Sequence, residues 1–148
     1  MKYIKETAET LVKKYKCRDP FFICEMLRLN VVYKGLGTLK GMYLILKNNR
    51  YAVLNTSLTY AEKKAVCAHE LGHDLLHRGF ARDIFLQDFM LYDMKNRPEY
   101  EADFFAASLL IDDQEIKEMV KLNKSYSDIA EALSLTPELV SFKLKSLN

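Results

Sequence analysis

Apolar positions in this chain recur mostly every three to four residues, with a few short stretches in which they run together. Around residues 3–16, Ile4, Ala8, Leu11, Val12 and Tyr15 share one side of a helix, while Lys2, Lys5, Glu6, Glu9, Lys13 and Lys14 fall largely on the other. Asp19-Pro20 opens a second, short helix over 21–29, and Asn30 ends it. Val31-Val32-Tyr33 predicts a strand, followed by a turn holding Gly35 and Gly37. Residues 41–46, a turn at Lys47-Asn48-Asn49-Arg50, and residues 51–55 predict a hairpin. Thr59 then reads as the N-cap of a long helix, with Glu62 three residues on to complete a capping box. A further helix begins near Pro98, where Ala102, Phe105, Ala106, Leu109 and Leu110 share a face. Three helical pieces close the chain: 112–122, 127–133, and one opened by Thr136-Pro137-Glu138. There are no internal repeats and no low-complexity segments.

The long helix carries the candidate chemistry. Its run His69-Glu70-Leu71-Gly72-His73 has the form H-E-x-x-H. Residues four apart on an α-helix share a face and lie about 6 Å apart along the axis, so both imidazoles can address one ion. Glu70, one position along, faces the water held by that ion and can take its proton as it attacks a carbonyl. Ala65-Val66-Cys67-Ala68 before the motif and Leu75-Leu76 after it keep the segment apolar with helical spacing. Asp74 is a departure, since an uncharged residue usually follows the second histidine of such a motif. Cys67 lies on a different face from His69, which predicts core packing. His77 continues the 69, 73 series but sits about 12 Å from His69 along the helix, too far to share its ion. Near the helix end its ring suits the dipole, with a lesser possibility that it helps to hold transition-state charge.

A catalytic zinc typically takes three protein ligands and keeps one position open. The helix that starts at Pro98 offers the third. Glu99 and Asp103 are four apart on one face, and Ala102 and Ala106 are small enough for the two helices to approach closely. Glu99 can complete the site, and Asp103 can accept the N–H of a ligating imidazole and fix its tautomer. Glu101 is a rival for the ligand role; its alternative is a solvated first-turn acid.

H-E-L-G-H followed by E-Y-E-A-D-F-F-A-A-S-L-L resembles the ImmA/IrrE family of metallopeptidases, over residues 41–110 and more loosely to the C-terminus. The resemblance implies an α+β fold. A mainly helical, zincin-like metallopeptidase core over 1–111 would carry a small three-stranded antiparallel or mixed sheet. A helix-turn-helix-like segment over 112–148 would pack on it. It also implies one Zn2+ per chain, held by His69, His73 and Glu99, with Asp103 behind a histidine. Such proteins are commonly encoded in prophages and integrative elements, and they cleave or inactivate a helix-turn-helix repressor.

Composition narrows the rest. A chain of 148 residues with 49% hydrophobic content supports one packed domain. A net charge of +2 does not mark a nucleic-acid binder. No apolar run is long enough to span a bilayer, and the N-terminus lacks an apolar signal core, so a cytoplasmic protein with reduced cysteines is expected. Residues 128–144 have the spacing of a helix-turn-helix, yet residues 126–148 carry three acids against two lysines, which favours protein docking or a structural role over DNA. Residues 80–97, rich in aromatics and acids, read either as a lid between the two site helices or as core filling.

Two kinds of function fit these residues. One is a zinc peptidase making a limited cut in a regulatory protein, with the substrate paired to a strand of the hairpin, either 51–55 or its partner. Tyr43 and Tyr51 are both candidates to place a phenol near the oxyanion. The other is a non-catalytic zinc protein that disables its partner by docking, though such a protein would have no chemical need of Glu70. A DNA-binding regulator is a third, weaker reading.

Overall fold

The computed structural model describes residues 1–81 and 97–148. The segment expected to form a lid falls largely on residues 82–96 and so lies outside the described residues. The chain begins with α1 (Lys2–Tyr15), which buries Ile4, Ala8 and Leu11, and α2 (Pro20–Met26), whose N-cap Asp19 accepts from the Phe21 amide. Three strands follow: β1 (Asn30–Lys34), β2 (Gly41–Leu46) and β3 (Asn49–Asn55). The long helix α3 (Tyr60–Leu76) begins with the reciprocal capping box of Thr59 and Glu62 and leads into the short α4 (Arg78–Ala81). After the undescribed segment come α5 (Arg97–Leu110), α6 (Asp113–Lys121), α7 (Tyr126–Leu133) and α8 (Pro137–Ser146). The fold is α+β, mainly helical with one small sheet.

The sheet is mixed. Its order is β1-β3-β2, with β1 parallel to β3 and β2 antiparallel to it. Lys47 and Asn48, both at positive φ (50° and 66°), form the two-residue β2–β3 turn, whose twist matches that of the strands. The strand 51–55 therefore cannot offer an edge to a substrate, because β3 is hydrogen-bonded on both sides. Among the described residues β1 and β2 are the sheet's edge strands, and β2 is the one that reaches Glu70 of the motif. The loop leading into β2 is held by Asn55, whose amide donates to Gly37 O (3.0 Å) and Leu39 O (2.9 Å) and whose oxygen accepts from Ser57.

The core lies between α1, α3, α5 and the inner face of the sheet, around Phe105, Ile4, Leu54, Leu71 and Leu109. Its tightest seam is between α3 and α5. A Cβ added at Gly72 would stand 3.1 Å from Phe105 Cδ1 and 3.2 Å from Ala102 Cα, so the two backbones approach through the absence of a side chain. Cys67 is fully buried, as expected of a core residue, with its Sγ 3.7 Å from that of Cys24.

Asp74, the odd residue of the motif, is buried and fully engaged. It accepts from the Tyr43 hydroxyl (2.6 Å) and from Arg50, with Arg78 at 3.4 Å. Since Tyr43 is on β2 and Arg50 on β3, this carboxylate fastens the hairpin to α3 through charge-assisted bonds. Replacing Gly72 by Val would force α3 and α5 apart. The expected loss is about 1–3 kcal/mol of stability, read as a lower urea midpoint with the slope unchanged.

Candidate metal centre

The α3–α5 seam sets the site. With Gly72 against Ala102, the start of α5 runs beside the motif on α3, and Glu99 in the first turn of α5 reaches both histidines. Glu99 Oε2 is 2.9 Å from His69 Nε2, and Oε1 is 3.1 Å from His73 Nε2. The two Nε2 atoms are themselves 3.1 Å apart. Among the described residues these three side chains form the one cluster with metal-ligand geometry.

Proton counting shows what this cluster wants. His69 Nδ1 is 2.7 Å from Asp103 Oδ1, and an ionised carboxylate only accepts, so Nδ1 carries a proton and Nε2 is the atom that a cation would take in exchange for a second one. His73 makes its own Nδ1 contact, 2.9 Å from His77 Nδ1. Two imidazole Nε2 atoms and a carboxylate thus converge on a point, a set that suits a cation once both rings are neutral. With bonds of 2.0–2.1 Å, tetrahedral zinc ligands lie about 3.3 Å from one another, close to the 2.9–3.1 Å separations here. Imidazole and carboxylate donors suit zinc, and nitrogen donors disfavour magnesium or calcium.

Without an ion the two rings differ in their tendency to hold charge. Burial is the largest influence on His73 and pushes its pKa down to about 4, so its ring is neutral and able to ligate. Burial also opposes charge on His69, but the hydrogen bonds to Asp103 and Glu99 outweigh it and raise its pKa. Glu99 is partly buried, which would raise its pKa, yet the two histidines hold it well below the usual carboxylate range. Glu70 is different. Burial raises it to about 7, with His69 pulling down and the acids Glu99 and Asp103 pushing up. A carboxyl poised near neutral pH suits a general base.

A cleft of about 660 Å³ passes over the cluster. The loop and strand around 38–43 form one wall, and Thr136, Leu139 and Phe142 at the start of α8 form the other. Gly41 lets β2 come this close: a Cβ there would fall 2.5 Å from Val66 Cγ1 and 3.0 Å from Glu70 Oε1.

Several residues named from sequence sit elsewhere than expected. Glu101 is not a solvated acid and is not in the ligand cluster; it is 8% exposed and bonded to His77 (3.1 Å) and Arg97 (2.7 Å). His77 does not sit at a solvated helix end. It caps α3 from a buried position against His73 and Glu101. The i, i+4 series 69, 73, 77 already carried this signal. Tyr43 lines the cleft, but its hydroxyl proton is given to Asp74, and burial and that bond raise its pKa. Tyr51, on β3, is not among the cleft-lining residues. Sequence reasoning missed Gly41 and the α8 wall, both of which depend on tertiary placement.

Two histidines and a glutamate on one helix, met by a carboxylate from its neighbour, form the arrangement of a metallopeptidase. The chain belongs to the IrrE N-terminal-like domain family of the M78 peptidases, whose profile matches residues 24–145. It is 33% identical over 141 residues to "uncharacterized immunity region protein 2" of Bacillus phage phi105, covering 95% of this chain and 88% of that one. It is 22% identical over 152 aligned positions to "metallopeptidase ImmA" of Bacillus subtilis (strain 168), covering 99% and 86%.

Two outcomes follow from the geometry. Zinc at about a thousand times its dissociation constant should add about 4 kcal/mol to the unfolding free energy of metal-free protein, and Glu99→Ala should remove most of that gain, as measured by denaturant titration. Glu70 has a folded pKa of about 7 against an ordinary value of 4.5. A carboxyl raised in the fold favours the folded state fully below its unfolded pKa, and that contribution is lost as pH rises from about 4.5 through 7. Metal-free Glu70→Gln should therefore be more stable than wild type above pH 7, by about 1–3 kcal/mol, and lose that advantage near pH 4.

Proposed function

We propose that this protein is a zinc-dependent peptidase, with one ion per chain, that makes a limited cut in a regulatory protein, and that its substrate is a repressor with a helix-turn-helix. The observation that carries this reading is the position of Glu70. It is a buried carboxyl with a pKa near neutrality, beside two imidazoles and a carboxylate that share one point of convergence on the floor of an open cleft. A protein that only docks has no use for such a group.

In this reading His69, His73 and Glu99 hold the ion, and Asp103 fixes the His69 ring. The ion, when bound, supplies Lewis acidity to water and to the scissile carbonyl. Glu70 takes a proton from the attacking water and delivers it to the leaving amine. The free edge of β2 beside Glu70 binds the substrate as an added strand, which places its backbone along the cleft.

One relative is named a metallopeptidase and the other an immunity region protein, which supports a metallopeptidase with a regulatory substrate. No helix among the described residues is long and apolar enough to cross a membrane, and a cytoplasmic repressor fits a cytoplasmic enzyme. Residues 112–148 serve as a second, smaller helical unit that closes one side of the cleft. They suit DNA poorly, because Lys143 in α8 is buried and paired with Asp113 at 2.6 Å, and the first turn of α8 faces the cleft.

Glu70→Gln protein should keep its zinc, retain the partner in a pull-down from the native host, and cut it about 10²–10⁴ times more slowly than wild type. Wild-type cleavage should stop on adding a chelator and return with zinc. A captured repressor that wild-type protein leaves whole would overturn the peptidase reading in favour of docking.

A further inference from the structure

Behind the ligand cluster, on the side away from the cleft, four polar side chains line up in single file. His73 Nδ1 is 2.9 Å from His77 Nδ1. His77 Nε2 is 3.1 Å from Glu101 Oε2, and Arg97 Nε is 2.7 Å from Glu101 Oε1. His73, His77 and Glu101 are all buried, and α3 and α5 contribute two residues each, counting His77 as the cap of α3.

We infer that His77 and Glu101 are positioning residues that set the tautomer and ring orientation of His73 through an imidazole–imidazole–carboxylate chain. The inference rests on the metal reading above, because that reading fixes the first proton. If His73 ligates through Nε2, its only ring proton is on Nδ1, and it donates to His77 Nδ1. His77 Nδ1 must then be the acceptor, so its proton sits on Nε2 and is donated to Glu101 Oε2. Glu101 receives the Arg97 N–H on its other oxygen. Every donor in the file meets an acceptor: donation runs from His73 through His77 to Glu101, and Arg97 donates to Glu101 from the other end. The opposite direction would put a proton on His73 Nε2, where His69 Nε2 and Glu99 already converge.

Each ligating histidine thus has its own support. His69 donates directly to Asp103, on a face near solvent. His73 lies deeper, and on its Nδ1 side His77 extends the reach of Glu101 by the width of one ring. Partners of this kind typically change metal affinity 10–100-fold when removed. The motif is therefore longer in function than H-E-x-x-H, running from His69 to His77.

The test is zinc affinity measured by chelator competition on purified, metal-stripped protein, independent of any substrate. His77→Phe should weaken binding about 10–100-fold, since a phenyl ring fills the space but cannot accept a proton. His77→Asn should recover most of that loss, because its side-chain oxygen can accept from His73 Nδ1. Glu101→Gln should give an intermediate loss. Circular dichroism and the unfolding midpoint of each metal-free variant separate misfolding from loss of the chain. Equal affinities for Phe and Asn variants that are folded alike would overturn the inference. Glu99→Ala runs alongside: if wild type and Glu99→Ala bind zinc equally, the metal reading itself fails, whereas a weakened Glu99→Ala with an unaffected His77→Phe removes only the positioning role.

Discussion

Everything at the site depends on how closely α3 and α5 approach. Gly72 and Ala102 leave no side chain between the helices, and Phe105 closes over the gap. That contact brings Glu99 to within 2.9–3.1 Å of two histidines on another element. It also sets Asp103 behind His69 and Glu101 behind His77. One small-residue contact therefore fixes the third donor and both supporting carboxylates, because all three ride on the first two turns of a single helix. The α5 residues 99, 101 and 103 make the polar edge of that seam, and 102, 105, 106 and 109 its buried side.

The same economy explains the charge burial around α3. Glu70, His73, Asp74 and His77 are all buried on one helix, an arrangement that would be costly without partners. Asp74, His73 and His77 have them: two arginines and a phenol for the first, a ring and a carboxylate for the others. Among the described residues Glu70 has no arginine or lysine partner, and burial raises its pKa. A counter-charge would lower its pKa and weaken it as a base. Buried groups with perturbed pKa values of this kind cluster at functional sites.

Most of this was legible in the sequence wherever a residue's role follows from its own helix. The helix that carries His69, Glu70 and His73, the capping box of Thr59 and Glu62, the hairpin with its turn expected over 47–50 and found at Lys47-Asn48, and the shared face of Glu99 and Asp103 all come from spacing or local backbone preference. What spacing does not give is the partner. Asp74 looked anomalous because Tyr43 and Arg50 arrive from strands some thirty and twenty-four residues earlier. Glu101 resembled any first-turn acid until α3 placed His77 against it. The order of the strands was equally hidden, since a parallel β1–β3 pairing is a long-range choice that no turn signal encodes.

The C-terminal helices show why pattern alone misleads on function. Two short helices joined by a tight turn at Ser134, with apolar Leu139 and Val140 inward, satisfy the spacing of a DNA-reading unit. Reading DNA would need the first turns of α8 to be free and its lysines to be exposed. Here Lys143 is turned into the body against Asp113, which also holds Lys5 of α1, and so it anchors α8 to the N-terminal helix. Phe142 packs on Tyr100 of α5 with ring centroids 5.3 Å apart. With Lys143 committed to the interior and Phe142 to α5, α8 is held with Thr136, Leu139 and Phe142 toward the cleft, and Lys145 is its one exposed lysine. Whatever lies in that cleft must meet a wall whose position is set by the same α5 that carries Glu99, so the donor atoms and the shape of the substrate channel are fixed by one element.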